Sequence, residues 1–410
     1  MDQHKLYRTI LTLGDEKFRN EESLLGHVLE NIIQNEEIPI KGGRIWKLDA
    51  TAGTYRLLRQ YGEMDPIDKN FRISVLDYPV FLHLHKKGTI VATETNRYLQ
   101  QKGIRIYSAT GVGEKVKWKD YSLYQYVIAI NAAYLKEDMS YALNIIGHAL
   151  TSALRNRRIE SKAKALEADL DKAREIQKSI LPEHEVRFQA FDLYGVSIPD
   201  RVVGGDFFDY LQLQDDKDRL GIVIGDAASK GLSAAAQALF VAGALRMGFE
   251  QQIQISTILG RLNQLVHRTF TPEQFISMVY AELISSEKGL VLYANAGHSV
   301  PILLRHATDE AERLPATGHI IGPFPNEKYR YDFVLMKRGD VLLLYTDGIV
   351  EAQNERQELY GEQRLTEMLR KHRTKSPKEL CQLILEDVQV YNRFPEYSDD
   401  KTLVVIKRSR

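Results

Sequence analysis

The chain has 410 residues, of which 44% are hydrophobic and 27% are charged, and this composition is typical of a globular protein with two or three domains. Its formal net charge is +0, which gives no general reason to expect nucleic acid or an anionic membrane surface as a partner. The single cysteine, Cys381, excludes a disulfide within the chain and favours a reducing, cytoplasmic setting. The opening decapeptide MDQHKLYRTI has no apolar core of signal-peptide length, and no apolar run reaches the roughly 18 residues of a membrane span.

Residues 1–137 are predicted to form a mixed α/β domain. Apolar residues recur at helical spacing from Leu24 to Ile33. The segments GGRIWKLD and GTYRLLRQYG predict two strands joined by a turn at Ala50–Gly53, and GTIVATE, IRIYSAT and YQYVIAINAAY predict three more. This order of elements, with a strand pair that ends in Gln60-Tyr61-Gly62, resembles the GAF family of small-ligand sensor domains. The resemblance implies a site for a small ligand or partner; the alternative is a domain that binds no ligand and serves only to dimerise.

Residues 138–182 are predicted to form a long connecting helix. Beyond Ile159 there is no Gly or Pro until Pro182, and charged residues fill most faces. Two sets of residues repeat every seven positions: Ile159, Leu166, Ala173 and Ile180, and, on the alternate seam, Ala163, Leu170 and Gln177. This pattern predicts a parallel coiled coil and therefore a homodimer, whereas the alternative is a single amphipathic helix packed on its own chain.

Residues 183–410 are predicted to form an α+β domain. Strand signals occur in eight segments: FDLYGVSI, RLGIVIGD, FISMVYAEL, LVLYANAG, VPILLR, YDFVLM, DVLLLYTD and TLVVIK. Helices are predicted at 231–249, 256–269, 363–371 and 376–391. Paired strands with helices outside them indicate a layered α+β domain.

Four phrases in this domain place aspartates beside strand ends or glycine turns. They are VVGGDFFDY with Asp206, IVIGDAASKG with Asp226, VLLLYTDGIVEA with Asp347, and SDDKTLVVI with Asp399 and Asp400. Buried carboxylates are costly without a compensating partner, and four of them brought together repel one another. Mg²⁺ and Mn²⁺ prefer oxygen ligands and compensate such a cluster. A water held between two such ions is a nucleophile near neutral pH, and this chemistry suits the hydrolysis of phosphate esters.

Six phrases occur together in one order: AREIQKSILP, VVGGDFFDY, GDAASKGLSAA, NAGHSVPILL, YTDGIVEA and DDKT. In this order they resemble the metal-dependent protein phosphatases (PPM family), in the bacterial SpoIIE/RsbU-type branch, over about residues 174–408. The resemblance implies a sandwich of two antiparallel sheets flanked by helices, two Mn²⁺ or Mg²⁺ ions, and hydrolysis of phosphoserine or phosphothreonine on a protein. Substrates in this branch are often phosphorylated anti-sigma-factor antagonists of the STAS type, so a partner-switching pathway is implied.

The resemblance also implies roles for individual residues. Asp226 matches the aspartate that bridges both metals, and Asp226 and Asp347 are expected to act in catalysis through a metal-bound water. The implied metal ligands are Asp206, Asp226, the backbone carbonyl of Ala227, Asp347 and Asp399. Asp400 is expected to support these ligands from behind rather than to bind metal itself.

The loop after Asp226 departs from the pattern of the family. Relatives commonly have Gly before the lysine, whereas this chain reads Asp226-Ala227-Ala228-Ser229-Lys230-Gly231. If that position has a positive φ, serine costs about 1 kcal/mol or more relative to glycine. This departure supports an alternative function, a catalytically weak scaffold that binds a signalling partner through the phosphatase fold.

A nucleotide cyclase, suggested by the string GGDF, fits less well because the second acidic residue of the GGDEF signature is missing and the YTDG and DDKT phrases have no place in that fold.

Three further residues have structural explanations. His298 in NAGH is expected to make a turn hydrogen bond rather than to act on phosphate. Lys230 is either a phosphate contact or a solvated loop residue. Cys381 lies in a helical apolar pattern and is expected in the core.

Overall fold

A computed structural model describes most of the chain, in two compact units, Met1–Ala165 and Leu166–Arg410. The described residues are 18–34, 40–132, 137–212, 217–251, 253–392 and 399–409. The opening decapeptide, to which the signal-peptide prediction refers, lies outside them.

The N-terminal unit is built on a six-stranded antiparallel sheet with strand order β3-β2-β1-β6-β5-β4. Its elements, in chain order, are α1 (Glu21–Ile33), β1 (Ile40–Asp49), β2 (Thr54–Gly62), β3 (Arg72–Ser74), α2 (Val80–Lys87), β4 (Thr89–Thr93), α3 (Arg97–Gln101), β5 (Ile106–Trp118), β6 (Tyr121–Ala132) and the first part of α4 (Glu137–Ile180). The predicted first helix and the five predicted strands are present. Strand β3 and the short helices α2 and α3 were not predicted.

The two faces of this sheet carry separate apolar clusters. Helix α1 begins at a capping box between Asn20 and Ser23, and its buried side chains pack with the early part of α4 against one face. Helices α2 and α3 cover the other face, where they pack on side chains such as Trp46 and Tyr107. The unit therefore has a sheet covered on both sides.

The C-terminal unit contains two antiparallel sheets, ordered β15-β12-β11-β10-β9 and β14-β13-β16-β17-β8-β7. Its strands are β7 (Glu185–Phe188), β8 (Phe191–Ile198), β9 (Phe207–Leu211), β10 (Arg219–Ala227), β11 (Ile276–Ile284), β12 (Leu290–Ala296), β13 (Ile302–Leu304), β14 (Ala311–Arg313), β15 (Asp332–Leu335), β16 (Val341–Tyr345) and β17 (Lys401–Arg408). Its helices, after the end of α4, are α5 (Leu232–Glu250), α6 (Ile255–Thr269), α7 (Asp347–Val350), α8 (Gly361–His372) and α9 (Pro377–Tyr391).

The sheets stack face to face, and strand alternation decides which side chains lie between them. On β10, Ile222 and Ile224 enter the cluster between the sheets, where they meet residues such as Leu344 and Val404. Val223 points the other way, into the cluster under α5 and α6. Helices α8 and α9 cover the outer face of the second sheet, and Cys381 lies buried in that cluster, as predicted. The predicted helix-flanked sandwich is confirmed.

Helix α5 is long and apolar enough to cross a membrane by length and composition alone. Its apolar character has a local explanation, because Ala234, Ala238, Val241 and Leu245 are buried against the first sheet. This helix forms part of the core of the C-terminal unit.

Helix α4 exposes part of its predicted heptad seam but not all of it. The side chains of Ile159 and Leu166 are 56% and 63% exposed, so they are available to a partner helix. Gln177 does not share this exposure: it is buried against its own unit and exchanges hydrogen bonds with the backbone of Gly204. The assignment of Gln177 to an open seam was therefore wrong, whereas the coiled coil and the homodimer stay predictions.

Candidate active site

Strand pairing brings the aspartate phrases to one end of the sandwich. In the first sheet, the start of β9 pairs with the end of β10, which places Asp206 beside the segment that carries Asp226. In the second sheet, the start of β17 pairs with the end of β16, which places Asp399 beside Asp347. The Thr346 hydroxyl joins the two sheets because it donates to the Asp206 carboxylate over 2.7 Å. All four predicted phrases therefore meet at this end.

Asp400 holds the loop that leads to Asp206. One carboxylate oxygen accepts hydrogen bonds from the backbone amides of Gly205 and Asp206, at 2.6 and 3.2 Å, and the other accepts from the Asp200 amide at 2.8 Å. Both oxygens therefore accept backbone hydrogen bonds, and the supporting role of Asp400 stays a prediction. Gly348 lies so close to the Asp400 carbonyl oxygen that a Cβ would stand 2.0 Å from it, so only glycine fits there.

The carboxylates of the cluster oppose one another electrostatically. Burial raises the pKa of Asp226 to about 7, and repulsion by Asp347 and Asp399 adds to this rise. Burial raises the pKa of Asp206 well above its ordinary value, with Asp226 as the next cause, although the Thr346 hydrogen bond acts in the opposite direction. The pKa of Asp347 is raised by burial and then by Asp399. Asp206, Asp226 and Asp347 therefore resist ionisation together, which indicates that this end of the sandwich lacks sufficient positive charge within the protein.

The donor set fits hard divalent cations that keep part of their water shell. Among the residues that the structure describes, no three acidic, histidine or cysteine side chains converge closely enough to enclose a single ion. Mg²⁺ does not require such a cage, because it commonly takes one or two carboxylates and fills its remaining positions with water and substrate oxygens. Asp206, Asp226, Asp347 and Asp399, together with the Ala227 carbonyl, offer only oxygen atoms, and their mutual repulsion is relieved by a cation.

The serine that departs from the family pattern is not strained. Ser229 is absent from the described residues with positive φ, whereas Gly231, two positions later, has a φ of 64°. The cost considered for a serine in that conformation therefore does not arise. The Ser229 hydroxyl instead accepts a hydrogen bond from the amide nitrogen of buried Gln237 over 2.7 Å, which ties this loop to helix α5.

His298 and Lys230 take different positions around the cluster. His298 is buried in a turn, where its amide donates to the Asn295 side chain and its Nδ1 lies 2.8 Å from the Ser277 hydroxyl. Burial lowers the pKa of His298 to about 4, so it is neutral at pH 7, and the predicted turn role is confirmed. Lys230 is exposed at the rim, with its Nζ 3.8 Å from the Asp399 carboxylate.

Two residues to which the sequence analysis gave no role at the site attach the end of α4 to it. The Gln177 side chain donates to the Gly204 carbonyl over 2.8 Å and accepts from the Gly204 amide at 3.3 Å, two residues before Asp206. Arg246 on α5 makes a two-point ion pair with buried Asp209 on β9, and it also donates to the Ile180 carbonyl at 2.7 Å. The motif AREIQKSILP contained a signal for Gln177, but its heptad spacing suggested a different role.

Comparisons with known proteins agree with this geometry. A family model described as stage II sporulation protein E (SpoIIE) matches residues 216–409. Phosphoserine phosphatase RsbU of Bacillus subtilis is 24% identical over 322 residues, which cover 77% of this chain and 93% of RsbU. Protein IcfG of Synechocystis is 27% identical over 267 residues, which cover 59% of this chain and 42% of IcfG. The solved SiaA-PP2C domain of Pseudomonas aeruginosa has a TM-score of 0.51 at 22% identity, covering 60% of this chain and 98% of that domain.

Fold, site and relatives together define the C-terminal unit as a PP2C-type protein serine/threonine phosphatase domain. The SpoIIE family model matches most of this domain, in agreement with the order of its motifs. The GAF likeness of the N-terminal unit stays a prediction.

Replacing Asp226 with Asn is expected to stabilise the metal-free protein at high pH. The pKa of Asp226 is about 7 in the folded chain and about 4 in an unfolded one, so the folded state retains a proton that the unfolded state has released. Stability of the wild type therefore falls as the pH rises from about 4 to 7. Urea unfolding in EDTA should show Asp226→Asn to be more stable than the wild type by about 4 kcal/mol at pH 8, with little difference near pH 4. The exposed Asp332→Asn is the control; equal stability of wild type and Asp226→Asn at pH 8 would contradict the repulsion described here.

Replacing Ser229 with Gly is expected to weaken the loop without improving turnover. The substitution removes the hydrogen bond from Gln237 and adds backbone freedom, so the free energy of unfolding should fall by about 1 kcal/mol or more. Ser229→Ala removes only the hydrogen bond and should lie between Ser229→Gly and the wild type in thermal unfolding. A several-fold increase in phosphatase turnover in Ser229→Gly would show instead that serine impairs the site, as the scaffold alternative requires.

Proposed function

We propose that this chain is a signal-regulated phosphatase that removes phosphate from serine or threonine of a partner protein, with two Mg²⁺ or Mn²⁺ ions as cofactors. The observation that carries the proposal is the set of mutually repelling carboxylates at one end of a SpoIIE-family sandwich. The alternative of a weak scaffold loses its main support, because Ser229 is unstrained and hydrogen-bonded.

Each residue of the cluster has a distinct task in this proposal. Asp226 would hold both ions, with Asp347 and Asp399 completing one position and Asp206 lying next to the other. The ions, when bound, would supply positive charge that activates water and offsets the charge on the phosphoryl group. Thr346 orients the Asp206 carboxylate through its hydrogen bond. Lys230 is exposed at the rim, where its ammonium group would meet an incoming phosphate.

The proposed substrate is a phosphorylated STAS-type anti-sigma-factor antagonist within a partner-switching pathway in the cytoplasm. Support comes from similarity to phosphoserine phosphatase RsbU over 93% of that protein's length. The similarity covers 77% of this chain and so extends beyond the phosphatase domain.

The proposed regulation acts through helix α4. Its C-terminal end touches the loop before Asp206 through Gln177 and touches α5 through Arg246, so a shift of the helix would move a segment that carries a metal ligand. The exposed Ile159 and Leu166 would pair with a second copy to form the coiled coil, and the N-terminal domain would bias the position of the helix.

Hydrolysis of a phosphoserine STAS protein by the full chain is expected to require Mn²⁺ or Mg²⁺ and to depend on Asp226. Asp226→Asn should lower turnover by about 100-fold or more because it removes the shared ligand, whereas the exposed Asp332→Asn should leave turnover unchanged. Phosphate release is measured across a Mn²⁺ titration. Turnover of other phosphoproteins but not STAS proteins would contradict only the proposed substrate. Turnover that survives in EDTA or in Asp226→Asn would contradict the mechanism.

Replacing Gln177 with Ala is expected to raise the Mn²⁺ concentration required for half-maximal activity by about three- to tenfold. The loop before Asp206 loses two hydrogen bonds, each of which contributes about 1 kcal/mol, while the carboxylates themselves remain. Saturating Mn²⁺ should restore most of the turnover. The exposed neighbour Lys178→Ala serves as the control, and an unchanged Mn²⁺ dependence in Gln177→Ala would rule out this coupling.

A further inference from the structure

The N-terminal unit encloses a small cavity with charged side chains in its wall. The cavity lies between the central strands of the sheet and helices α2 and α3, and its volume is about 20 Å³. Most of its lining is apolar, including Trp46 and Phe81. Its polar lining consists of Arg44 on β1, Glu94 after β4, and the hydroxyl groups of two tyrosines, Tyr78 and Tyr107.

Arg44 is buried and makes no direct ion pair with any described residue, although the charge of Glu94 acts on it at longer range. Its side chain is 2% exposed, and its guanidinium carbon lies 5.8 Å from the centre of the Tyr107 ring. Its Nε has no hydrogen-bond partner, and no ion pair to Arg44 occurs within the described ranges. A guanidinium group cannot relieve this cost by losing its proton, because it stays charged in proteins. Burial still outweighs the effect of Glu94, so the guanidinium group is costly to hold there unless an anion contacts it directly.

Glu94 is also buried, and half of its carboxylate is free. One oxygen accepts hydrogen bonds from the Tyr78 hydroxyl at 2.7 Å and from the amides of Thr95 and Asn96, each at 2.9 Å. The other oxygen has no partner among the described residues, although Glu94 is only 2% exposed. Arg44 and Glu94 line the same cavity without forming an ion pair. Within the described part of the chain, the cavity thus offers the guanidinium group of Arg44, which has no ion pair, and separately a carboxylate oxygen of Glu94, which has no hydrogen-bond partner.

We propose that this cavity is a binding site for a small amino acid. The ligand carboxylate would pair with the guanidinium of Arg44, whose planar fork matches a carboxylate at two points. The ligand ammonium would donate to the free oxygen of Glu94. A zwitterion leaves the pair of buried charges balanced, whereas a simple carboxylate satisfies Arg44 alone. This proposal concerns the N-terminal unit and does not depend on the phosphatase activity.

The size of the cavity restricts the ligand. A volume of about 20 Å³ holds one or two waters, so a ligand enters only if α2 and α3 move outward. Glycine and alanine require the smallest movement. Binding is therefore expected to change the exposure of this cap, which is the kind of response that a sensor domain requires.

Isothermal titration calorimetry of the full chain with glycine, L-alanine and acetate tests the site. Glycine or alanine should give a saturable heat, and acetate, which lacks the donor for Glu94, should bind at least about tenfold more weakly. Arg44→Met should weaken amino-acid binding by about tenfold or more. Glu94→Gln should weaken binding of the amino acids more than binding of acetate.

Two controls keep the test decisive. The exposed Arg56→Met on β2 changes the same chemical group outside the cavity and should bind as the wild type does. Arg44→Met replaces a buried charge with an apolar chain and is expected to fold, which far-UV circular dichroism verifies.

Two results would overturn the proposal. One is the absence of saturable heat from folded wild type with either amino acid at 20 mM, roughly the weakest affinity expected of a specific site. The other is binding that persists unchanged in Arg44→Met.

Discussion

Repulsion between carboxylates at one end of the sandwich is the constraint on which the C-terminal unit depends. Asp206, Asp226 and Asp347 are all held where burial and neighbouring charge oppose ionisation. The protein tolerates this arrangement because a frame of neutral donors fixes the backbone around it. Thr346 and the amides that surround Asp400 form that frame. A chain that maintains such repulsion is organised to receive cations, and the match of this domain to the SpoIIE family model agrees with that organisation.

The sandwich could be predicted because long apolar strands and the order of the motifs both pointed to it. The eight strand segments read from the sequence all correspond to observed strands, since short apolar runs such as those of β10 and β16 are typical of buried strands. The missed elements are short or carry polar residues. Strand β14 is Ala-Glu-Arg, and β9, with the sequence FFDYL, overlaps the motif VVGGDFFDY, which was interpreted only for Asp206. Helix α2, with the sequence VFLHLHKK, is too short for its period to be distinguished from that of a strand.

The parts of the candidate site that could be predicted are those marked by residue type or by a motif. The aspartates stood out because charges at the ends of apolar strands demand an explanation. Gln177 was misassigned because a glutamine at a heptad position looks the same whether it faces a partner helix or a loop of its own unit. Ser229 was wrongly suspected of strain, because local sequence does not reveal which residue of the loop takes a positive φ. Arg44 and Glu94 gave no signal, since nothing in a strand sequence shows that a charged side chain points inward.

The position of β17 has a consequence for the order in which the enzyme is assembled during synthesis. This strand lies between β16 and β8 in the middle of its sheet, yet it follows β8 by about two hundred residues in the chain. Asp400, immediately before it, holds the loop at Asp200–Asp206 across a sequence separation of 194 to 200 residues. The ribosome therefore releases the loop at Asp200–Asp206 and every strand of the first sheet long before the second sheet can be completed. The site of the nascent chain therefore stays incomplete until β17 pairs with β16 and β8. Dephosphorylation cannot begin until the whole domain has been translated.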